Sequence, residues 1–203
     1  MSFLRNEERY FVSSSFAVQN CRGMPLTDKQ KGVVRNVIPA AVLTVVGLCG
    51  VPLLLPLNML PLDEPGARVA WALKWALLPV LTLMVAIMRV ANHRFSTPAD
   101  IDGSGLTDGT PEVRVLRAVL QNTLEQAVLA VAAYAIWAVV MPYNWLRLIP
   151  IAALLFVAGR VLFARGYARG APGHATGFGL TAYPTFGMLV TVAVVLLFRL
   201  VMR

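Results

Sequence analysis

Arg114, Arg117, Gln121, Asn122 and Glu125 fall on one stripe of a helix that opens at Pro111, because successive side chains rotate by about 100°. Glu125 lies about 20 Å along that helix at 1.5 Å per residue. The surrounding sequence is apolar, and an ionised carboxylate at such depth must face a partner or a wet cavity. Arg160, in Gly159-Arg160 of the next apolar segment, offers a partner. Several arginines against one carboxylate leave surplus positive charge. That surplus suits a pocket for an anionic ligand, since guanidinium forks grip carboxylates through paired hydrogen bonds. The plainer reading of the stripe is polar adhesion between helices, and the charge surplus favours the pocket.

The elements that must position these residues are membrane spans. Hydrophobic residues make up 58% of the 203 positions and charged ones only 14%, against about 25% charged in soluble domains. Five apolar segments, 33–56, 67–90, 113–141, 145–163 and 182–201, reach the roughly 20 residues a helix needs to cross hydrocarbon. The fold class is therefore all-α, a polytopic helix bundle. The first segment has no small-residue cleavage pattern and reads as a retained span. The net charge of +8 does not point to nucleic acid, because the basic residues flank apolar segments instead of forming an aromatic-interleaved patch.

Orientation follows from the short loops. Arg5, Arg9, Arg22, Lys29 and Lys31 precede the first span, whereas 57–66 carries only Asp63 and Glu64. Arg89, Arg94, Arg114 and Arg117 surround the next loop, and Arg160, Arg165 and Arg169 mark the connection after the fourth span. The N-terminus is expected in the cytoplasm and the C-terminus outside, with Arg199 and Arg203 running against the rule. Trp71, Tyr143, Trp145 and Tyr183 fall at span ends, as an aromatic belt does.

Smaller signals have plainer readings. Thr110 caps the third span with Pro111 at its first helical position. Cys21 and Cys49 read as free thiols without metal-ligand spacing. Asp100-x-Asp102-Gly-Ser104 starts like a calcium loop, but Pro111 stands where a bidentate glutamate is required. A polar, flexible loop without metal is expected there. Lys74 is expected to snorkel to headgroups.

Leu116-Arg117-Ala118 followed by Asn122-Thr123-Leu124-Glu125-Gln126 resembles the second-helix signature of the MAPEG superfamily, the membrane-associated proteins of eicosanoid and glutathione metabolism. The resemblance covers roughly 67–203, and 1–66, with its additional N-terminal span, falls outside it. It implies a four-helix domain over 67–203, a homotrimer, and glutathione held between subunits near the cytoplasmic face. By position Asn122 and Glu125 match the family's Asn-x-x-Glu. Arg160 matches its Gly-Arg element, Tyr167 its glutathione-contacting tyrosine and Arg89 its first-helix arginine. Asp100 resembles an acidic loop residue of the prostaglandin synthase branch. The family arginine four residues before the asparagine is Ala118 here, with Arg117 one position earlier. The thiol-activating arginine before the last helix has no clear counterpart; His174, in Pro172-Gly173-His174, stands nearest and reads as a loop residue.

The resemblance thus implies that Arg89, Arg117 and Arg160 hold the glutathione carboxylates. Glu125 neutralises an arginine or meets the ammonium, Asn122 contributes its amide, and Tyr167 donates a hydroxyl. A cation near the sulfur favours thiolate, and Arg165, Arg169 and His174 all remain open for that role. The expected function is a glutathione-dependent transferase or peroxidase of a bacterial inner (plasma) membrane, acting on a lipophilic electrophile or hydroperoxide drawn from membrane lipid. The alternative is a non-catalytic trimeric scaffold whose basic pocket takes another anionic ligand or a partner.

Overall fold

The structure, a computed structural model, describes residues 27–50, 60–103 and 106–202. The expectations that concern Arg5, Arg9, Cys21, Arg22, residues 51–59, Ser104 and Arg203 lie outside the described residues. Five helices follow in order: α1 Asp28–Val45, α2 Pro65–Ser96, α3 Pro111–Val140, α4 Leu148–Gly166 and α5 Ala171–Val201. Each, with its flanking turns, is long and apolar enough to cross a membrane. Thr27 and Gln30 form a reciprocal capping box at the start of α1, which continues into a wider turn at Val46–Gly50. Thr110 caps α3, its hydroxyl accepting from Val113 N at 3.3 Å. Pro79 sits inside α2, and the Thr82 hydroxyl bonds to its carbonyl at 2.8 Å.

Two hairpins form the bundle, α2 against α3 and α4 against α5, and α1 lies along α5. The α4–α5 contact is close. A Cβ on Gly159 would sit 2.7 Å from Thr181 Cγ2 and 2.8 Å from Gly177 O. Lipid is as apolar as leucine, so packed helices gain most where small residues let backbones approach. The interior is filled by an alanine-rich face of α3 (Ala127, Ala130, Ala133) together with Tyr134, Trp137, Phe156 and Met188. The starts of α1, α3 and α5 and the ends of α2 and α4 share one end of the bundle, where the arginines cluster.

Two expectations change. The last helix begins at Ala171, not at 182, and His174 lies in its opening turns rather than in a loop. Gly173, Gly177 and Gly179 give this stretch a loop-like composition, but all three face neighbouring helices at contact distance. A Cβ on Gly173 would be 2.7 Å from Gly166 O, and one on Gly179 would be 2.7 Å from Ala40 Cβ. The connection after α2 is also tied down near Asp100, which is 1% exposed. Asp100 Oδ2 accepts from the Thr110 hydroxyl at 2.6 Å and lies 2.9 Å from His93 Nε2, while Oδ1 accepts from Thr110 N at 2.8 Å. Both carboxylate oxygens are therefore committed to protein donors and not arranged to face a cation.

Candidate functional site

Arg160 projects from α4 into the bundle and is 4% exposed. Its Nη1 donates to Asn122 Oδ1 at 2.8 Å and its Nη2 to Thr181 Oγ1 at 2.5 Å. The guanidinium carbon lies 4.5 Å from the centroid of the Phe163 ring and 5.7 Å from that of Phe156. Nε has no hydrogen-bond partner among the described residues, and no salt bridge among them includes Arg160. Arginine keeps its charge in proteins, so this is a buried cation in a neutral shell. Such a charge is costly without an anion.

Two cavities meet at this side chain. One, of about 410 Å³, is a groove between α2, α3 and α4. Leu78, Val85, Val119 and Val157 give it an apolar body; Arg89 and Arg165 stand at its basic end, and Arg160 forms part of its wall. The other, of about 290 Å³, is lined by Asn122, Phe163, Tyr167, His174 and Phe178, with Val33 and Val37 of α1. Asn122 and Phe163, which hold the guanidinium of Arg160, thus belong to the second cavity while Arg160 itself faces the first.

The aromatic cluster of the second cavity is set by the α4–α5 turn. After the single turn Tyr167–Arg169, Gly170 adopts φ 79°, which glycine reaches without a Cβ clash. Its amide bonds to Tyr167 O at 3.0 Å, and Gly173 N bonds back to Gly170 O at 2.9 Å. The reversal lays the His174 ring on that of Tyr167, with centroids 4.8 Å apart and planes 15° from parallel. Phe163 meets both edge-on, at 5.3 and 5.0 Å. His174 Nδ1 is buried beside the backbone of Tyr167 and Gly170, with which the ring interacts.

The bundle therefore presents four packed spans with a first helix laid along α5, and a buried arginine–asparagine pair where α3 meets α4. The MAPEG family model matches residues 70–194, from early α2 to late α5. The chain belongs to the MAPEG family. It is an integral membrane protein of the superfamily concerned with glutathione and eicosanoid metabolism. Comparison with curated proteins and with solved structures gives no match. The matched segment leaves α1 outside.

In this MAPEG protein the expected site residues separate into groups. Arg89, Arg160 and Arg165 share the groove, whereas Asn122, Tyr167 and His174 share the aromatic cavity. The Arg160–Asn122 hydrogen bond joins the two groups. Arg117 lies half-buried beside the α2–α3 connection, near Arg94, Thr107 and Val113, in neither cavity. Arg169 is exposed just before Gly170, outside both. Glu125 faces outward, accepting from Gln121 Nε2 at 3.0 Å. It does not meet Arg160, which is held by Asn122 and Thr181 instead.

Several participants were not foreseen. Thr181 supplies one of the two acceptors for Arg160; its signal was Gly177-x-x-x-Thr181 facing Gly159-Arg160 across a small-residue contact. Phe163, one turn beyond Arg160, gave an aromatic signal at helical spacing. Val33 and Val37 had no distinguishing signal, because nothing in a lone apolar helix says which face meets a site. His93 joins Asp100 instead of either cavity. The Thr110 hydroxyl above all, with the Thr110 amide and His93, holds the Asp100 carboxyl below its ordinary value of 3.8, against burial, which pushes it up.

Proposed function

We propose that this MAPEG protein is a glutathione-dependent membrane transferase or peroxidase acting on a lipophilic electrophile or hydroperoxide. The observation that carries this reading is Arg160: a buried, acid-free guanidinium between an apolar groove and a polar aromatic cavity. Glutathione carries two carboxylates and an ammonium, and its carboxylate chemistry matches a guanidinium with neutral neighbours that commits only two of its five N–H donors. Asn122 and Tyr167 would bond to the peptide from the aromatic cavity, and the co-substrate would enter the groove from the bilayer.

For transfer, the thiolate sulfur attacks an electrophilic carbon, forming a C–S bond as the leaving group takes the displaced electron pair. For peroxide reduction it attacks the distal oxygen and releases the alcohol, and a second glutathione resolves the sulfenic acid to disulfide and water. We assign the thiol proton to His174, which shares the cavity with Tyr167 and stacks on its ring. Arg165 belongs to the groove and would stabilise negative charge that develops on the co-substrate. Mid-span exposure of Gln121 and Glu125 asks for a partner other than lipid, and a homotrimer supplies one. The positive-inside pattern supports a cytoplasmic position for the basic end of the bundle, within the reading of a bacterial inner-membrane protein.

The test is thermal stability of the detergent-purified protein against glutathione, with the S-hexyl conjugate in parallel. A saturable upward shift that disappears in Arg160→Ala is expected, since a ligand of the native state alone stabilises it. No shift up to millimolar ligand sinks the glutathione assignment. The non-catalytic scaffold, with a basic pocket for a different anion or partner, then becomes the better reading.

A further inference from the structure

α1 precedes the segment that matches the family, yet it is fastened to the part of α5 that carries His174. Gly32, Asn36 and Ala40 recur every four residues and so share one face. At Gly32 a Cβ would approach Pro172 Cγ to 3.0 Å. Asn36 Nδ2 donates to Pro172 O at 2.8 Å, and Thr176 Oγ1 donates back to Asn36 O at 2.6 Å. Farther along, Gly47 lies against Leu155 of α4. These two side-chain-to-backbone bonds bracket His174, one at the residue two before it and one at the residue two after.

Val33 and Val37 sit beside that face and are half-buried, whereas Val34 and Ile38 are 52% and 56% exposed. The two half-buried valines line the cavity that also holds Asn122, Tyr167 and His174. In this region the cavity is bounded by α1 and not by lipid. We propose that α1 is an integral wall of the aromatic cavity, and that Val33 and Val37 set the size of the ligand admitted beside Tyr167 and His174. The identity of that ligand as glutathione rests on the function proposed above; the wall itself does not. Its consequence is a division of access: the aromatic cavity is screened from the bilayer on the α1 side and fills from the basic aqueous end, whereas the groove keeps its own opening towards lipid.

The experiment uses the full-length chain in two arms. In the first, glutathione binding is measured calorimetrically for the unaltered protein, Val37→Trp and Val34→Trp. Val37→Trp is expected to bind about tenfold more weakly or worse, because added volume in a filled site is poorly absorbed. Val34→Trp, on the lipid side, is expected to bind as the parent does. Val37→Ala gives a second reading if the tryptophan variant fails to fold, and an affinity equal to the parent's would overturn the proposal, as would unchanged binding by a folded Val37→Trp.

In the second arm Cys21 and Cys49 are replaced by serine, Ala175→Cys reports on the cavity, and maleimide labelling is timed with and without Asn36→Ala. Loosening α1 is expected to accelerate labelling; equal rates in a folded protein would refute the wall. If the parent binds no glutathione, the functional reading fails, and labelling alone decides the wall.

Discussion

Replacing Arg160 by methionine separates what the residue does for the fold from what it does for a ligand. The arginine makes two charge-assisted hydrogen bonds, each worth about 1.5–3 kcal/mol, and stacks over Phe163 for up to about 2 kcal/mol. The gross gain is therefore about 3–8 kcal/mol. Against it stands the desolvation of a buried guanidinium, several kcal/mol after relaxation, with no carboxylate to offset it. Methionine fills similar volume without that cost, Thr181 keeps its bond to Phe178 O, and Asn122 borders a cavity that water can enter. The net change in unliganded stability is expected to stay within about 2 kcal/mol. Ligand affinity is expected to fall about 100-fold, the loss of one charged bidentate contact. Melting curves in detergent, with and without glutathione, give both numbers. A large drop in unliganded stability would show that Arg160 serves the fold, and retained affinity would show that the guanidinium is not the anion's partner.

Other predictions address single contacts. Gly177→Ala places a Cβ against the Phe163 backbone nitrogen and 2.7 Å from Gly159 O. It should destabilise the α4–α5 hairpin by about 1–3 kcal/mol or more, read as a lower melting temperature. Tyr167→Phe keeps the ring stack on His174 but removes the hydroxyl, so glutathione should bind about three- to tenfold more weakly while the unliganded melt stays put. The Asp100 carboxyl is held below 3.8 by Thr110 and His93, so its contribution is complete above that pH and is lost as pH falls below it. The parent should therefore lose stability towards pH 3 more steeply than Asp100→Asn, whose melt is lower at neutral pH; parallel slopes would refute the staple.

Hydropathy carried most of the fold, because a span cannot hide its composition. Where the sequence misled, the reason was local. The glycines from 173 to 179 have the composition of a loop, and only the presence of α4 and α1 at contact distance explains why a helix uses them. The four-residue spacing of Gly32, Asn36 and Ala40 acquires meaning only from its partner face on α5, since apolar sequence does not name neighbours. Of the site, Arg160 with Asn122 and Tyr167 with His174 were identified as residues, whereas their division between two cavities depends on side-chain directions. The α3 stripe drew Arg117, Asn122 and Glu125 together by helical angle alone. Packing splits the same stripe between loop, cavity and outer surface.

The position of Arg160 gives ligands in the two cavities, should both be occupied, a shared contact. Its guanidinium forms part of the groove wall while Asn122 and Phe163 hold it from the other side, so an occupant that draws it one way alters what the second occupant finds. By linkage, whatever factor the first ligand imposes on the affinity of the second is returned unchanged in the opposite direction. A peptide that pulls the guanidinium from the groove would weaken an anionic lipid-phase ligand there and favour a neutral one. Such a coupling would run through one side chain, and no movement of helices is needed to transmit it.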